Sequence, residues 1–320
     1  MSDILPQIKL AAVQAASVHL DRQATVAKAC GLIAQAGAQG ADLIAFPEGF
    51  IPAHPCWFTV RPATDQISLG LSRQLFQNAV VIPSADTDAL AQACSQAGIT
   101  AVIGVCEKQA DTTGTIYNTQ LFIGPQGQLL GKHRKLNPTL AEKIVHAGGH
   151  GDTLSAFEAP FGRISGLVCG ENGNPLAAYH LLSQYPVVHV ASWPAFVSPT
   201  VSLAEVIPTI TRGLAVSMGC FVVNSTGVLT QEMIDAYQAG EAERGFMAAL
   251  KGQGHASVIG PGGQVLTSPM TGEGIVYASV DLNEIVLRKV AMDFAGHYNR
   301  ADVFDFRVRT EGLTPDGGLC

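Results

Sequence analysis

Residues 163–175 read Arg-Ile-Ser-Gly-Leu-Val-Cys-Gly-Glu-Asn-Gly-Asn-Pro. The first half is a short apolar run that predicts a buried strand ending at Cys169. Asn174 can cap a following helix and Pro175 can begin it, because these residue types are favoured at the N-cap and the first helical position. The pattern therefore places one thiol on a strand-to-helix turn, where the helix N-terminus favours an anion.

Six further cysteines accompany Cys169, and most buried cysteines serve only as small hydrophobic side chains. The seven are odd in number, scattered and without Cys-x-x-Cys spacing. We therefore expect neither a disulfide framework nor a zinc cluster, and a reduced, cytoplasmic protein. Only its surroundings can single out Cys169 as a reactive thiol.

The composition limits the classes of partner. The 320 residues are 47% hydrophobic and only 14% charged, which favours a large core and an exterior partly covered by other subunits. A net charge of −7 argues against general binding to nucleic acid or to an anionic membrane. No apolar run has the length of a membrane span, and we expect no leader peptide.

Strand-like and helix-like patterns alternate along the chain, which is typical of an α/β protein. Strands are predicted at residues 8–14, 41–46, 99–107, 117–123, 187–192, 220–225 and 275–282. Helices are predicted after Asp21 and at residues 72–79, 86–97, 202–219, 230–239 and 284–292. Similar Gly-Pro-x-Gly turns within 122–130 and 258–266 predict matching hairpins, and so a pseudo-symmetric pair of sheets in one domain.

No linker divides the chain, so residues 1–295 are predicted to form a single domain. Residues 296–320 are interpreted as a C-terminal arm whose aromatic side chains need a surface to pack on. Together with the low charge, this arm favours a homodimer or a larger homo-oligomer.

Three polar residues stand at or just beyond strand-like runs, beside glycine or proline: Glu48, Lys135 and Cys169. If their strands are neighbours, the strand ends converge, as on open α/β sheets. A thiolate could then attack an electrophilic carbon while the carboxylate moves protons and the ammonium stabilises negative charge. The alternative for Glu48 is an ordinary exposed loop acid.

The segments 46–48 (Phe-Pro-Glu), 133–139 (His-Arg-Lys-Leu-Asn-Pro-Thr) with Glu142, and 169–171 (Cys-Gly-Glu) resemble the nitrilase superfamily of carbon–nitrogen hydrolases, and more narrowly its nitrilase branch. The similarity covers most of the chain, and the order and spacing of the blocks make it specific. It implies an α/β fold of the four-layer α-β-β-α sandwich type.

The resemblance also implies a Glu48–Lys135–Cys169 triad, with Glu142 positioning the lysine and a bound group. It implies no metal and no organic cofactor. The expected partners are a small-molecule nitrile or amide and water. By analogy, Cys169 adds to a nitrile carbon to give a thioimidate, water releases ammonia, and a second water hydrolyses the acyl-thioester to a carboxylic acid.

Five residues are expected near the substrate. The backbone N–H of Gly170 would stabilise the tetrahedral species together with the lysine, and Trp57 and Trp193 would form an apolar wall. Asn174 and His133 belong to the same motifs and complete the set. Nitrilases usually carry tryptophan directly after the nucleophile, so Gly170 departs from the family pattern and leaves nitrile or amide preference open.

Three alternatives remain at this stage. The first is an amidase or carbamoyl hydrolase of the same superfamily with the same triad. The second is a Cys/His hydrolase whose base is His133, His146, His180 or His189, none of which stands out in the sequence. The third is a catalytically idle scaffold, although all four candidate catalytic residues are present.

Overall fold

The computed structural model describes residues 5–310, which contain twelve β-strands and eight α-helices. The strands are β1 Gln7–Ala15, β2 Leu43–Ala45, β3 Thr100–Lys108, β4 Ile116–Ile123, β5 Leu129–Arg134, β6 His146–Ala147, β7 Phe157–Ala159, β8 Gly162–Val168, β9 Val188–Trp193, β10 Phe221–Gly227, β11 Ser257–Ile259 and β12 Gly274–Asp281. The helices are α1 Arg22–Ala38, α2 Gln66–Asn78, α3 Ala85–Ala97, α4 Pro175–Leu182, α5 Leu203–Met218, α6 Gln231–Tyr237, α7 Glu241–Leu250 and α8 Asn283–Ala291.

Two sheets, each built mainly from one half of the chain, meet along a short seam. The first has the order β12-β1-β2-β3-β4-β5, and the second has the order β11-β10-β9-β8-β7. They join where Gln14 and Ala15 of β1 pair with Thr226 and Gly227 of β10. The direction is the same in six central strands: β1, β2, β3, β8, β9 and β10. Strand β4 is antiparallel to both β3 and β5, so β5 also runs in this direction. The carboxyl ends of β2, β5 and β8 therefore point to one edge.

Strand β1 shows how the layers arise, because successive side chains on a strand face opposite ways. Leu10 and Ala12 pack between the sheets, in the same buried cluster as Val190 and Val223 of the second sheet. Val13 faces the other way, into a cluster that α1 and α3 share. The outer face of the second sheet packs on α4 and α5. The four-layer α-β-β-α sandwich expected from the sequence is confirmed.

Local sequence signals placed several element boundaries correctly. Asp21 caps α1, with its carboxylate accepting from the Ala24 N–H at 2.9 Å. Both predicted hairpins close with equivalent backbone bonds of 2.9 Å, from Gly124 N–H in one half and Gly260 N–H in the other. Helix α7 was missed because a glycine within it lowers its helix propensity.

Part of the predicted arm packs on its own chain. The Phe306 ring lies edge-on to Tyr179 of α4 at 5.1 Å between centroids, and the Tyr179 hydroxyl donates to Asn299. Tyr298 and Phe304 are exposed. Residues 311–320 of the arm lie outside the described residues, and the division at residue 296 stays a prediction. Among the described helices, none combines the length and apolarity needed to cross a membrane.

Candidate active site

The loop after β2 carries Glu48 and is tied to the second sheet. The Phe46 carbonyl accepts hydrogen bonds from the Ser192 hydroxyl at 2.9 Å and the Ser225 hydroxyl at 2.6 Å. The Glu48 N–H donates to the carbonyl of Trp193 at 3.2 Å. These bonds fix the backbone of Glu48, whose side chain is buried, so the alternative of an exposed loop acid is wrong.

Two glycines allow this loop to pack so closely. A Cβ atom on Gly104 of β3 would lie 2.0 Å from the Pro47 carbonyl oxygen, so a larger residue would displace the loop. Gly49 has φ +55°, a conformation that glycine adopts without strain, and a Cβ there would lie 3.1 Å from the Cα of His54. The glycine and proline stops around Glu48 therefore serve close packing as well as turning.

Lys135 lies at the end of β5 and joins two buried carboxylates. Its Nζ donates to Glu48 Oε1 and to Glu142 Oε2, each at 2.7 Å. The Asn118 amide of β4 donates to the Oε1 atoms of both glutamates, also at 2.7 Å. His146 Nδ1 donates to Glu142 Oε1 at 3.0 Å. The structure thus brings Glu48, Lys135 and Glu142 together.

The charges of this cluster support one another. Burial alone would raise the pKa of Glu48, but the positive charges of Lys135 and His54 outweigh it and hold that pKa below its ordinary value. Burial opposes ionisation of Glu142 too, yet the bond from His146 and the charge of Lys135 keep its pKa well below the usual range. Burial would lower the pKa of Lys135, but the facing acids raise it. Two carboxylates and one ammonium are therefore charged at neutral pH.

Cys169 follows β8 of the second sheet, whose carboxyl end points the same way as those of β2 and β5, and it is buried. Its φ of +53° is left-handed, which costs a non-glycine residue about 1–2 kcal/mol. Burial, and then the charge of Glu48, raise the pKa of the thiol well above its ordinary value, while Lys135 opposes them. The resting thiol is therefore protonated, and attack requires a base to accept its proton.

All four candidate catalytic side chains border one small cavity: Glu48, Lys135, Glu142 and Cys169. Its volume is about 20 Å³, room for one water molecule. The rest of the wall is mainly apolar, with contributions from Pro55, Phe58, Pro194, Phe196 and Val197. A nucleophile, two carboxylates and an ammonium thus meet in one low-dielectric site.

Three residues expected near the substrate do not border this cavity within the described chain. The Trp193 ring packs between the second sheet and α5, and its indole N–H donates to the Asn224 side chain at 3.1 Å. Trp57 is fully buried against Tyr237. The Asn174 side chain accepts from the first backbone N–H groups of α4, so its cap is confirmed and its oxygen is already used.

His133 also lies away from the cavity, because it is held by Glu171. Its Nε2 is 3.1 Å from Glu171 Oε2, and its Nδ1 is 3.3 Å from the Thr153 carbonyl. The Glu171 carboxylate further accepts from the N–H of Leu136 at 2.6 Å and of Val168 at 3.1 Å. Glu171 therefore fastens the chain after Lys135 to the turn that carries the thiol.

Gly170 is exposed beside the thiol. A Cβ atom added there would meet only the Thr139 hydroxyl, at 3.8 Å, and Thr139 itself borders the cavity. The position therefore has space for a side chain at the rim of the site.

Sequence reasoning did not identify Asn118 or Glu171 as site residues. The available signal for Asn118 was an amide within an apolar strand pattern, and for Glu171 an acid two residues after the nucleophile. A buried polar side chain of this kind is costly unless it is paired.

The Cys/His alternative requires a histidine at the nucleophile. In the described part of the chain, no histidine shares a hydrogen bond with the Cys169 sulfur. The four candidates bond elsewhere: His133 to Glu171, His146 to Glu142, His180 to Leu154, and His189 to Ser165 and Asn172.

Within residues 5–310, one group has the spacing of a metal site. The ligand atoms of Glu48, His54 and Glu142 lie within 4.8 Å of one another. The Lys135 ammonium already bridges both carboxylates at 2.7 Å and offsets part of their negative charge.

Known proteins resemble this chain in sequence and in fold. Residues 9–289 match the carbon-nitrogen hydrolase family. The chain is 35% identical over 315 residues to an aliphatic nitrilase of Rhodococcus rhodochrous, covering 97% of this chain and 81% of that protein. It is 33% identical over 313 residues to an arylacetonitrilase of Hypocrea virens, covering 95% and 92%. A carbon-nitrogen hydrolase from Helicobacter pylori G27 superposes with a TM-score of 0.70 at 19% identity, covering 93% of this chain and 97% of that one, and shares the fold.

Proposed function

The chain belongs to the carbon–nitrogen hydrolase family, and we propose that it hydrolyses an organic nitrile to the carboxylic acid and ammonia. The observation that carries the proposal is the meeting of Cys169, Lys135, Glu48 and Glu142 at one cavity. Relatives named as nitrilases, identical at 33–35% over nearly the whole chain, support a nitrile as the substrate.

Each group has a task in the proposed reaction. The Cys169 sulfur forms a bond to the nitrile carbon while Glu48 accepts the thiol proton and passes it to the nitrile nitrogen, which gives a thioimidate. A water molecule then adds and ammonia leaves, so an acyl-thioester remains. A second water releases the acid and restores the thiol. One nitrile and two waters thus give one acid and one ammonia.

Charge stabilisation falls to Lys135 and the backbone. Negative charge develops on the nitrogen and later on the oxygen of the attacked group. The Lys135 ammonium, buried and held by two carboxylates, is a preorganised donor of the kind that contributes about 2.7–4 kcal/mol to a transition state. The N–H of Gly170 is the expected second donor. Glu142 keeps the ammonium in place through its 2.7 Å bond.

One ammonia-release screen over aliphatic, aryl and arylalkyl nitriles, each with its matching amide, tests the proposal. We expect release from at least one nitrile class, with none in Cys169→Ala. Turnover of amides alone would replace the proposal with the amidase alternative. No turnover, together with no adduct on Cys169 by intact mass, would favour the idle scaffold.

We also propose a homodimer or larger assembly in the cytoplasm. Large apolar side chains are exposed on α8 and the arm: Val286, Leu287, Val290, Tyr298, Val303 and Phe304. Such a patch is typical of an association surface. Light scattering before and after deletion from residue 296 tests this, and an unchanged mass would contradict a role for the arm.

The six cysteines within the described residues are free thiols, which suits a reducing compartment, and cell fractionation tests the location.

A further inference from the structure

His54 faces the proposed general base, although its sequence context gave no reason to select it. Its Nε2 lies 3.3 Å from Glu48 Oε1 and 4.0 Å from Glu142 Oε1. The side chain is 15% exposed and borders the same cavity as Cys169. The sharp turn at Gly49 brings the histidine back over the carboxylate that precedes it.

The two oxygens of Glu48 have different surroundings. Oε1 accepts from Lys135 and Asn118 at 2.7 Å each, and His54 lies against the same atom. Oε2 is buried and has no hydrogen-bond partner among the described residues. A buried carboxylate oxygen without a donor is costly, and such exceptions call for a functional explanation. Oε2 is therefore the atom open to a transferred proton.

We propose that His54 is a positioning residue of the active site: as an imidazolium 3.3 Å from Glu48 Oε1, it keeps the negative charge of the carboxylate on that oxygen and leaves Oε2 to exchange protons with Cys169 and the substrate. The inference rests on the proposed function for its chemistry. It is independent of which nitrile or amide the enzyme accepts.

Charge balance supports a protonated His54. The site holds two carboxylates, and Lys135 neutralises only one of them. The groups that face His54 are Glu48, Glu142, the Cys56 sulfur at 3.4 Å from Nδ1, and the His146 ring at 6.3 Å between centroids.

The two histidines respond to these surroundings in opposite ways. Burial would lower the pKa of His54, but the charge of Glu48, together with the Cys56 sulfur 3.4 Å from Nδ1, raises it well above its ordinary value. Burial dominates for His146, whose pKa is lowered, so that ring is neutral. His54 therefore supplies the second positive charge.

The role has a measurable consequence for the pH profile. A positive charge within about 4–6 Å lowers the pKa of a carboxylate by about 1–3 units. Removing the charge of His54 raises the pKa of Glu48, so more of the base is protonated at a given acidic pH. The acid limb of activity then moves to higher pH. A residue that only fills space would not produce this shift.

The test compares His54→Gln, which keeps a donor in place of Nε2 but carries no charge, with His19→Gln. His19 is, like His54, a partly buried histidine, but its ring packs on Trp57 and Tyr237 rather than on a carboxylate. Two readouts are followed from pH 4 to 9: kcat/KM for ammonia release, and the rate of Cys169 alkylation by iodoacetamide, read by peptide mass spectrometry. The second needs no nitrile, so it decides the inference even if the proposed substrate is wrong.

We expect the acid limb of both profiles to shift to higher pH by about 1 unit or more in His54→Gln, with KM changed less than kcat. In His19→Gln the acid limb should keep its wild-type position. Profiles of His54→Gln that superpose on wild type would overturn the proposal. If His54→Gln does not fold, ring ¹⁵N shifts of the wild-type protein decide it. The histidine signal that moves in Glu48→Gln identifies His54. In the wild-type protein at pH 8 this signal must have the shifts of an imidazolium, and the shifts of a neutral ring would refute the role.

Discussion

Replacing Lys135 by methionine tests the charge cluster most directly. The two side chains are similar in size, so Lys135→Met removes the ammonium and little else. Glu48 and Glu142 would each lose a 2.7 Å charge-assisted bond while remaining buried. Removing one partner of a buried ion pair costs about 3–5 kcal/mol, because the remaining charge is left uncompensated.

The expected size of the effect is large enough to measure. For a chain of this length the unfolding entropy is about 0.7 kcal/mol/K, so a loss of about 4 kcal/mol lowers Tm by about 6 °C. The pH dependence has a fixed sign. The pKa values of both glutamates are depressed, so their contribution to stability is present above the ordinary value of 4.5 and disappears as pH falls through the lower folded values. The difference in free energy of unfolding between wild type and Lys135→Met is therefore greatest at neutral pH and becomes smaller at acidic pH.

Lys132→Met is the matched control three residues earlier. Lys132 also contacts a buried acid, Glu107, but Arg134 pairs with the same carboxylate at 2.6 Å and Lys132 is partly exposed. Its loss should cost less than about 1 kcal/mol. Thermal and urea unfolding at pH 7 and at a pH below 4.5 compare the variants. Equal destabilisation by both substitutions, or a Lys135→Met effect that does not depend on pH, would refute the electrostatic reasoning.

The other predictions concern glycines. Gly170→Trp should leave Tm within about 2 °C, because the first side-chain atom meets only Thr139 at 3.8 Å, and it should lower kcat/KM for bulky nitriles more than for small ones. Gly104→Ala should cost about 1–3 kcal/mol and reduce kcat as well, since its Cβ would lie 2.0 Å from the Pro47 oxygen that precedes Glu48. Gly31→Ala, on the exposed face of α1 with nothing within 4 Å, should instead add about 0.5–1 kcal/mol without changing kcat. Unfolding curves and the ammonia assay check all three, and a silent Gly104→Ala would contradict the packing argument.

Local signals carried most of what could be predicted from the sequence. Strand ends at Glu48, Lys135 and Cys169 were visible because an apolar run, a stop residue and a polar side chain lie next to each other in the chain. The cap at Asn174 was visible for the same reason. Such signals need no knowledge of which strands are neighbours.

Contacts between distant segments could not be predicted in this way. Whether Asn118 reaches both glutamates depends on the register of β4 against β3, which no local pattern fixes. Trp193 was expected at the substrate because it is aromatic and adjoins proline, but its indole is used by Asn224 on the neighbouring strand. The same residue contributes its backbone carbonyl to the loop of Glu48.

The division of the site between the sheets explains why its precision depends on residues outside the cavity. The base and the ammonium come from loops of the first sheet, whereas Cys169 comes from the second. Their relative position is therefore set by contacts between the sheets. The Ser192 and Ser225 hydroxyls, which both bind the Phe46 carbonyl, are among these contacts and touch no reacting group. Displacements of about 1 Å can cost about 10²-fold in rate. Loss of either serine hydroxyl is therefore expected to lower kcat, although neither serine contacts a reacting group.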